Sequence, residues 1–300
     1  MHDVVVIGAG PAGLSAGLTA TYFKLRVVVL DAAAAGGALI TRYPWKKPDS
    51  CLGLKGHTAK EIAELYVNHV RSEGCEIMEN EEVLDVKAGK SIRVRTCRKV
   101  FDTRTVVLAT GTIGTPRKLG VPGEDSKNVA YFVKDPEQLS GRRVLVVGGG
   151  DSAVQNALAM DRAGANVWIA HRRDEFRCMD EAKAQVKGSG IRILWNTELK
   201  GVGRKKVKLL NNRTGRISEM SVDNVFIFCG SVMDKEFLKR VGVKTKGDLV
   251  VVDKDMKTSV QGVFAAGDIT GGIKRIPQAI AQGETAVYSA YKYIKRPYWK

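Results

Sequence analysis

Gly8, Gly10 and Gly13, with Pro11 and Ala12 between them, follow an apolar run from Val4 to Ile7 and precede Leu14, Leu18 and Phe23 at helical spacing. A second apolar run, Val27 to Leu30, ends in Asp31, 18 residues after Gly13. Strand, glycine turn, helix, strand and acid in that order suit a dinucleotide. One glycine permits the turn, one lets backbone approach a pyrophosphate, and one lets helix and strand pack closely. The helix N-terminus faces the phosphate charge, and Asp31 is placed to hold a ribose hydroxyl.

The same order recurs in the second half of the chain. Arg143 to Val147 reads as a strand, Gly148, Gly149, Gly150, Asp151, Ser152 and Ala153 form a G-x-G-x-x-A turn, and Val154 to Ala163 reads as a helix. Val167 to Ala170 is the next strand, but it ends in His171, Arg172 and Arg173, followed by Arg177, where the first unit has its acid. A carboxylate there would repel a 2'-phosphate, whereas guanidinium groups grip it through charge-assisted hydrogen bonds. The second site therefore prefers NADPH to NADH. Two nucleotide sites of different chemistry in one chain imply electron transfer between two cofactors.

The remaining elements position these turns. Gly36 to Pro44 reads as a glycine-rich loop carrying Tyr43, of a kind that could lie against a flat ring. From His57 to Ser72 the residues Ile62, Leu65, Tyr66, Val67 and Val70 share one helical face. Glu81 to Asp102 alternates as short strands, turning at Gly89, and is expected as a small sheet laid across the first unit. Val83, at its start, is a candidate cofactor contact. Thr105 to Thr112 is a buried strand ending in Ala109, Thr110 and Gly111, where small residues let a ligand come near backbone.

Glycine and proline crowd positions 114 to 123, as a domain crossing would. Val222 to Phe228, with Gly230 after it, closes the second unit, and Val243 to Leu249 is expected to cross back through Gly247. Val263 to Ala266 is a further strand ending in Gly267 and Asp268, whose carboxylate could bond a ribityl or phosphate oxygen. Pro277 opens a helix through Gln278 and Ala279 to Ile294, and its N-terminal dipole would favour negative charge on a reduced ring.

Composition sets the bounds. Three hundred residues suggest two domains. The five cysteines are single and scattered, which argues against a disulfide framework or a metal knuckle. Val4 to Phe23 carries no charge, but its four glycines and one proline, with no basic segment before it, argue against a membrane span or an export signal, so the expected setting is the cytoplasm. The net charge of +16 comes without a nucleic-acid-binding motif and suits an acidic protein partner. Positions 114 to 247 contribute +10 of it and the rest +6.

Taken together, GAGPAG (Gly8 to Gly13), ATG (Ala109 to Gly111), GGGDSA (Gly148 to Ala153), HRRDEFR (His171 to Arg177), GVFAAGD (Gly262 to Asp268) and Gln278 resemble the low-molecular-weight thioredoxin reductase family. The resemblance implies an α/β protein of two Rossmann-like three-layer ββα nucleotide-binding domains, the second inserted into the first. The FAD-binding domain would comprise residues 1–113 and 248–300, and the NADPH-binding domain 114–247. It also implies a homodimer and a rotation between domains during turnover. Gly8, Gly10, Gly13, Gly37, Leu39, Thr110, Asp268 and Gln278 would lie in the FAD site, and Ser152, Arg172, Arg173 and Arg177 in the NADPH site.

One departure selects the branch. Members that reduce disulfides carry a C-x-x-C pair just before the second glycine turn; here Phe132 and Asp135 stand in its place, and no C-x-x-C occurs in the chain. The segment YFVKD at Tyr131 to Asp135 instead resembles the ferredoxin or flavodoxin NADP reductases of the family, in which Phe132 would form an apolar wall near the flavin. An acidic ferredoxin or flavodoxin is then the expected partner. That branch has a C-terminal extension and an aromatic residue near positions 47 to 50, where this chain has Lys47, Pro48, Asp49 and Ser50 and ends at Lys300, so a more open flavin is expected. Direct hydride transfer demands no side-chain acid or base, so no catalytic residue is assigned. Two other readings are a disulfide reductase using a pair such as Cys51 and Cys178, and a non-catalytic flavoprotein redox sensor.

Overall fold

Successive side chains of a strand point to opposite faces, and the first strand, β1 (His2–Ile7), buries both. Val4 and Val6 pack with Leu14 and Ala16 on one side, while Val5 and Ile7 pack with Val94 and Phe101 on the other. A sheet covered on both faces needs unbroken apolar runs, which is why Val27 to Leu30 shows no alternation. The structure, a computed structural model describing residues 1–48, 51–112, 115–232 and 235–295, divides into two compact units. They are Met1–Gly114 with Met233–Lys300, and Thr115–Val232.

In the first unit β1 leads to α1 (Pro11–Tyr22), β2 (Val27–Leu30), α2 (Ala38–Thr41), α3 (Ala59–Ser72) and β3 (Glu76–Met78), then to β4 (Val83–Lys87), β5 (Ile92–Thr96) and β6 (Val100–Leu108). The stretch expected as a plain glycine loop at 36–44 thus contains the short helix α2, whose Leu39 is anchored against Ala59, Ile62 and Ala63. Helix α3 starts at a capping box in which Thr58 and Glu61 satisfy each other's backbone N–H groups. Its buried face is Ala59, Ile62, Ala63, Val67 and Val70. Leu65, expected on that face, is 48 % exposed because the helical repeat turns it away from the stripe of Ala59, Ile62, Ala63, Val67 and Val70.

The strands run in the order β3-β2-β1-β6-β5-β4. Here too expectation and structure differ: β4 and β5 are continuous with the main sheet rather than a separate sheet laid across it. The nine-residue β6 makes this possible, pairing in parallel with β1 and antiparallel with β5.

The second unit repeats the plan through β7 (Thr115–Pro116), β8 (Val129–Ala130), β9 (Arg143–Val147), α4 (Asp151–Arg162), β10 (Asn166–Ala170), α5 (Asp180–Lys187) and β11 (Arg192–Leu194). It continues through β12 (Thr197–Val202), β13 (Lys206–Asn211), β14 (Ile217–Ser221), β15 (Asn224–Ile227) and β16 (Ser231–Val232). A parallel sheet ordered β11-β10-β9-β15-β8 carries α4 and α5 on one face. Its other face packs Leu145 and Val147 against Leu199, Val207 and Leu209 of the antiparallel sheet β12-β13-β14.

The chain then returns to the first unit through α6 (Lys235–Val241), β17 (Thr245–Lys246), β18 (Leu249–Val250), β19 (Val263–Ala265) and α7 (Ile276–Lys295). The crossing falls at 233 rather than 248, because Phe237, Leu238 and Val241 of α6 belong to the first unit's core. Strand β19 pairs in parallel with the last three residues of β6.

Candidate functional site

In the first unit the chain must turn sharply at the end of β1. Gly8 adopts φ +105°, and a Cβ there would lie 2.7 Å from the carbonyl carbon of Ala109. Gly10 is the N-cap of α1, extended and without any side-chain capping bond, and Pro11 follows as the first helical residue. No acidic side chain occupies that first turn, so its backbone N–H groups are left for an outside anion. A Cβ on Gly13 would overlap the backbone of Gly8, so the helix packs on the turn only through a glycine. Gly37 faces Gly10 backbone to backbone: a Cβ on Gly37 would lie 2.8 Å from the Gly10 Cα. Ala12 and Ala109 are buried beneath this cradle, and Thr110 and Gly111 follow β6 beside it.

Asp31 ends β2 as its spacing predicts, but both of its oxygens already accept backbone hydrogen bonds. Ala9 N–H donates to Oδ2 at 2.6 Å and Ala33 N–H to Oδ1 at 2.9 Å. Burial pushes its carboxyl up from the ordinary value against the pull of these two bonds. Asp31 therefore braces the glycine turn first, and a ribose hydroxyl would share those oxygens. Val83 opens β4 half-buried, just after Glu81, whose N–H donates to the Asp31 carbonyl.

At the other end of the cradle, Gly267 adopts φ +81° against Ala12, and its N–H donates to Gln282 Oε1 at 2.8 Å. Asp268 is half-buried, and its carboxylate makes no hydrogen bond among the described residues. Burial raises its pKa, while Lys274 opposes the shift. Tyr43, 36 % exposed, has its phenol pushed up by burial and by Asp268. Gln278 is exposed in the first turn of α7, with Ala279 buried behind it. Leu39 is buried in the α2–α3 contact, so what it offers a ligand is backbone. Sequence reasoning missed Gln282, Lys274 and Gly283. A glycine inside a 20-residue helix is itself a sign of close packing. At Gly283 a Cβ would overlap the Ala12 carbonyl oxygen.

The second unit builds a matching cradle. Gly148 adopts φ +143°, and a Cβ would meet the Phe228 carbonyl oxygen at 2.6 Å. Gly150 caps α4 in an extended conformation with open space where its Cβ would be, and Ala153 is fully buried in the helix behind. Asp151 accepts the Met179 N–H at 3.0 Å, Ser152 is exposed, and Gly230 adopts φ +93° with nothing near it.

His171, expected with the nucleotide-binding group, is 7 % exposed, and its Nε2 is 3.1 Å from the Glu175 carbonyl oxygen. Its ring lies under Gly149, whose Cβ would sit 2.6 Å from the imidazole Cγ, so it supports the turn from beneath. Burial lowers its pKa, partly offset by the hydrogen bond with the Glu175 backbone, and the charges of Arg173, Arg172 and Arg177 lower it further. Arg177 N–H donates to the Gly149 carbonyl at 2.7 Å, and Asn212 Nδ2 donates to the Arg172 carbonyl at 2.8 Å. Arg172 and Arg177 are exposed and Arg173 half-buried. None of the three makes an ion pair among the described residues, although Glu198 lies within electrostatic reach of Arg172.

Each cradle fits its implied cofactor. The first offers uncapped N–H groups, two facing glycines and an unpartnered carboxylate, as FAD requires. The second offers an open glycine and three arginines, as NADPH requires.

Four of the five thiols are buried or half-buried, and Cys97 is exposed. All five are free. Cys51 is buried 3.8 Å from the Tyr66 hydroxyl, and burial raises the pKa of Cys75, Cys178 and Cys229. Cys51 and Cys178 belong to different units. Phe132 lies half-buried in the second unit with Lys134 Nζ 5.9 Å from its ring centre. Asp135 accepts Glu137 N–H at 3.0 Å and Gln138 Nε2 at 3.1 Å, capping a turn of 3-10 helix. Asp49 and Ser50 lie outside the described residues. No group of metal-ligating side chains and no helix long and apolar enough to cross a membrane occurs among the described residues.

Known proteins share this arrangement. The chain is 36 % identical over 306 residues to a ferredoxin–NADP reductase of Ignicoccus hospitalis, covering all of both chains. It is 34 % identical to a ferredoxin–NADP reductase of Sulfurisphaera tokodaii, covering 98 % of this chain and 93 % of that one. Among solved structures, a thioredoxin reductase of Lactococcus lactis superposes with a TM-score of 0.89 at 27 % identity, over 99 % of this chain and 100 % of that one. The sequence model of the pyridine nucleotide-disulphide oxidoreductases matches residues 2–283. With both nucleotide cradles formed, the chain belongs to the pyridine nucleotide-disulphide oxidoreductase family and is an FAD-dependent oxidoreductase that uses NADP.

Proposed function

We propose that this protein oxidises NADPH and passes the electrons through FAD to an acidic one-electron carrier, a ferredoxin or flavodoxin. The observation that carries this reading is Asp135. Where disulfide-reducing relatives would hold a thiol, this carboxylate caps a turn of the second unit, and Phe132 beside it has no redox chemistry. The reductases named for ferredoxin among its relatives support the same choice.

In this reading Met1–Gly114 with Met233–Lys300 holds FAD, and Thr115–Val232 holds NADPH. The α1 N-terminus with Gly8, Gly10, Pro11, Ala12, Gly13 and Gly37 receives the FAD pyrophosphate, and Asp31 and Val83 bound the adenosine end. Ala109, Thr110, Gly111, Gly267 and the α7 N-terminus with Gln278 and Ala279 flank the flavin, and Asp268 accepts a ribityl hydroxyl. In the second unit Gly148, Gly150, Asp151, Ser152, Ala153 and Gly230 shape the pyrophosphate turn, and Arg172, Arg173 and Arg177 hold the 2'-phosphate. Bound FAD supplies conversion of a two-electron hydride into single electrons. The α7 dipole favours negative charge at the ring, and Lys274 offsets the charge of Asp268. The assembly is a homodimer in the cytoplasm, in keeping with five unpaired thiols.

Anaerobic stopped-flow mixing tests the reading. NADPH bleaches the flavin band faster than NADH does, and the reduced enzyme then reduces ferredoxin. An unbleached flavin would remove the proposal.

A further inference from the structure

We propose that the carrier docks on one face of the first unit, formed by residues 42–48 and 51–60 together with the 273–275 turn, as an apolar centre ringed by cations. This rests on the electron-carrier reading above.

Two apolar side chains stand out on this face: Leu52 is fully exposed and Ile273 is 69 % exposed. Neither is explained by packing, and apolar side chains at the middle of a charged rim are what a transient protein contact uses. Around them Lys47, Lys55, Lys60, Lys274 and Arg275 are exposed, with Arg42 and Lys46 half-buried. The acids nearby are engaged. Glu61 is held by the Thr58 cap, and Glu64 lies 3.8 Å from Lys60. Positions 42–60 and 271–276 together carry seven Lys and Arg and one acid, Asp49, which lies outside the described residues.

The two segments are held together. Ala59 N–H donates to the Lys46 carbonyl at 2.6 Å and Lys60 N–H to the Pro44 carbonyl at 3.0 Å, which ties positions 44–46 to the start of α3. Leu54 from the 51–60 stretch and Ile276 from the start of α7 pack on the same cluster of Leu39, Ala59, Ile62 and Ala63, which brings the 273–275 turn up to it.

The face also adjoins the flavin cradle. Tyr43 and Lys274 both interact electrostatically with Asp268, and Lys274 Nζ is 3.1 Å from the Thr112 hydroxyl, just beyond Gly111. One-electron transfer weakens steeply with distance, so a carrier must seat near the flavin. An acidic protein with an apolar patch around its redox centre meets both the charge and the centre of this face, and the cations speed its approach.

A second basic surface provides the control. Arg204, Lys205 and Lys208 are exposed at the β12–β14 sheet of the second unit and touch neither cradle. The test measures equilibrium binding of an oxidised [4Fe–4S] ferredoxin to the FAD-loaded enzyme, alongside NADPH-driven reduction of ferricyanide. The triple variant Lys47→Glu, Lys55→Glu, Lys60→Glu is expected to weaken ferredoxin binding roughly tenfold at low salt and flatten its salt dependence. Ferricyanide reduction stays unchanged. Leu52→Asp, which alters no core contact, weakens binding independently of those lysines. The triple variant Arg204→Glu, Lys205→Glu, Lys208→Glu changes net charge equally and leaves binding within about twofold.

Equal weakening by the two triple variants would show that net charge alone acts, and the docking face would be abandoned. The same follows if the first triple variant binds normally, or if Leu52→Asp splits an oligomer, which would make the face an interface between copies of this chain. A wild-type enzyme whose flavin is bleached by NADPH but which neither binds nor reduces ferredoxin would overturn the carrier reading itself, a result distinct from these.

Discussion

Gly283→Ala sets two physical rules against each other. In the middle of an exposed helix, replacing glycine by alanine adds about 1 kcal/mol of stability. Gly283, however, sits where α7 crosses α1. A Cβ there would overlap the Ala12 carbonyl oxygen and lie 3.0 Å from its carbon and 3.2 Å from the Ala16 nitrogen. These are backbone atoms, which cannot rotate away, so the helices must separate by roughly 1 Å. The cluster they share includes Ala12, Ala16, Ala20, Ala279, Ala286 and Ala290, small side chains that let the two backbones approach closely. Overpacking of this kind costs about 3 kcal/mol, so the net effect is destabilisation by about 2 kcal/mol. For a unit of this size that lowers the melting temperature by roughly 4–8 °C. Because Ala12 is in the first turn of α1, the variant also loosens FAD. Thermal unfolding followed by circular dichroism and flavin fluorescence reads both effects. A variant that melts at or above the wild-type temperature with its flavin retained would refute the α1–α7 geometry.

Replacing Arg172 and Arg173 with alanine is expected to weaken NADPH by about 2–4 kcal/mol, since charge-assisted bonds to a phosphate are lost and Arg172 is partly screened by solvent. NADH is spared, and steady-state KM values for the two nucleotides check it. Changing all five cysteines to serine leaves NADPH-driven ferredoxin reduction within about threefold, because no step uses a thiol; loss of turnover with the fold intact by circular dichroism would point back to a dithiol. Asp223 is held down to about 2 from 3.8 by its hydrogen bonds with Arg143. Its folded pKa lies below its unfolded one, so its stabilisation is full above 3.8 and is lost as pH falls towards about 2. The stability difference between wild type and Asp223→Asn should therefore shrink as pH falls from 3.8 towards about 2, as denaturant unfolding followed by ellipticity at several pH values will show.

What could be read from the sequence was what depends on neighbours along the chain. The glycine turns at Gly8 and Gly148 and the acid-for-arginine exchange after the second strand are local chemistry, and the structure forms both turns. What escaped depends on distant partners. Asp31 was legible as an acid at a strand end, but not its bond to Ala9 N–H across the turn. Gly283 and the Ser15 bond to the Ile280 carbonyl, 265 positions apart, need α7 laid on α1, which no local pattern specifies. Helix α6 escaped for a similar reason: its seven residues carry too little periodicity to show which core claims Phe237. His171 neighbours the arginines in sequence, but its buried ring lies beneath Gly149, a placement that depends on the turn rather than on the residues beside it.

The two short strands β7 and β16 pair antiparallel, Thr115 opposite Val232 and Pro116 opposite Ser231. The inserted unit thus ties its own ends together. For the first unit, joining β6 to β19 across an unfolded insert of this length would carry a loop-closure cost of roughly 4 kcal/mol, and across a folded one, whose paired ends act as a single crossing, roughly 3 kcal/mol. Folding order follows from that entropy: the insert comes first and delivers the split halves of its host to each other. Pulse-labelled hydrogen exchange should find amides of β9 and β10 protected before those of β19 and α7.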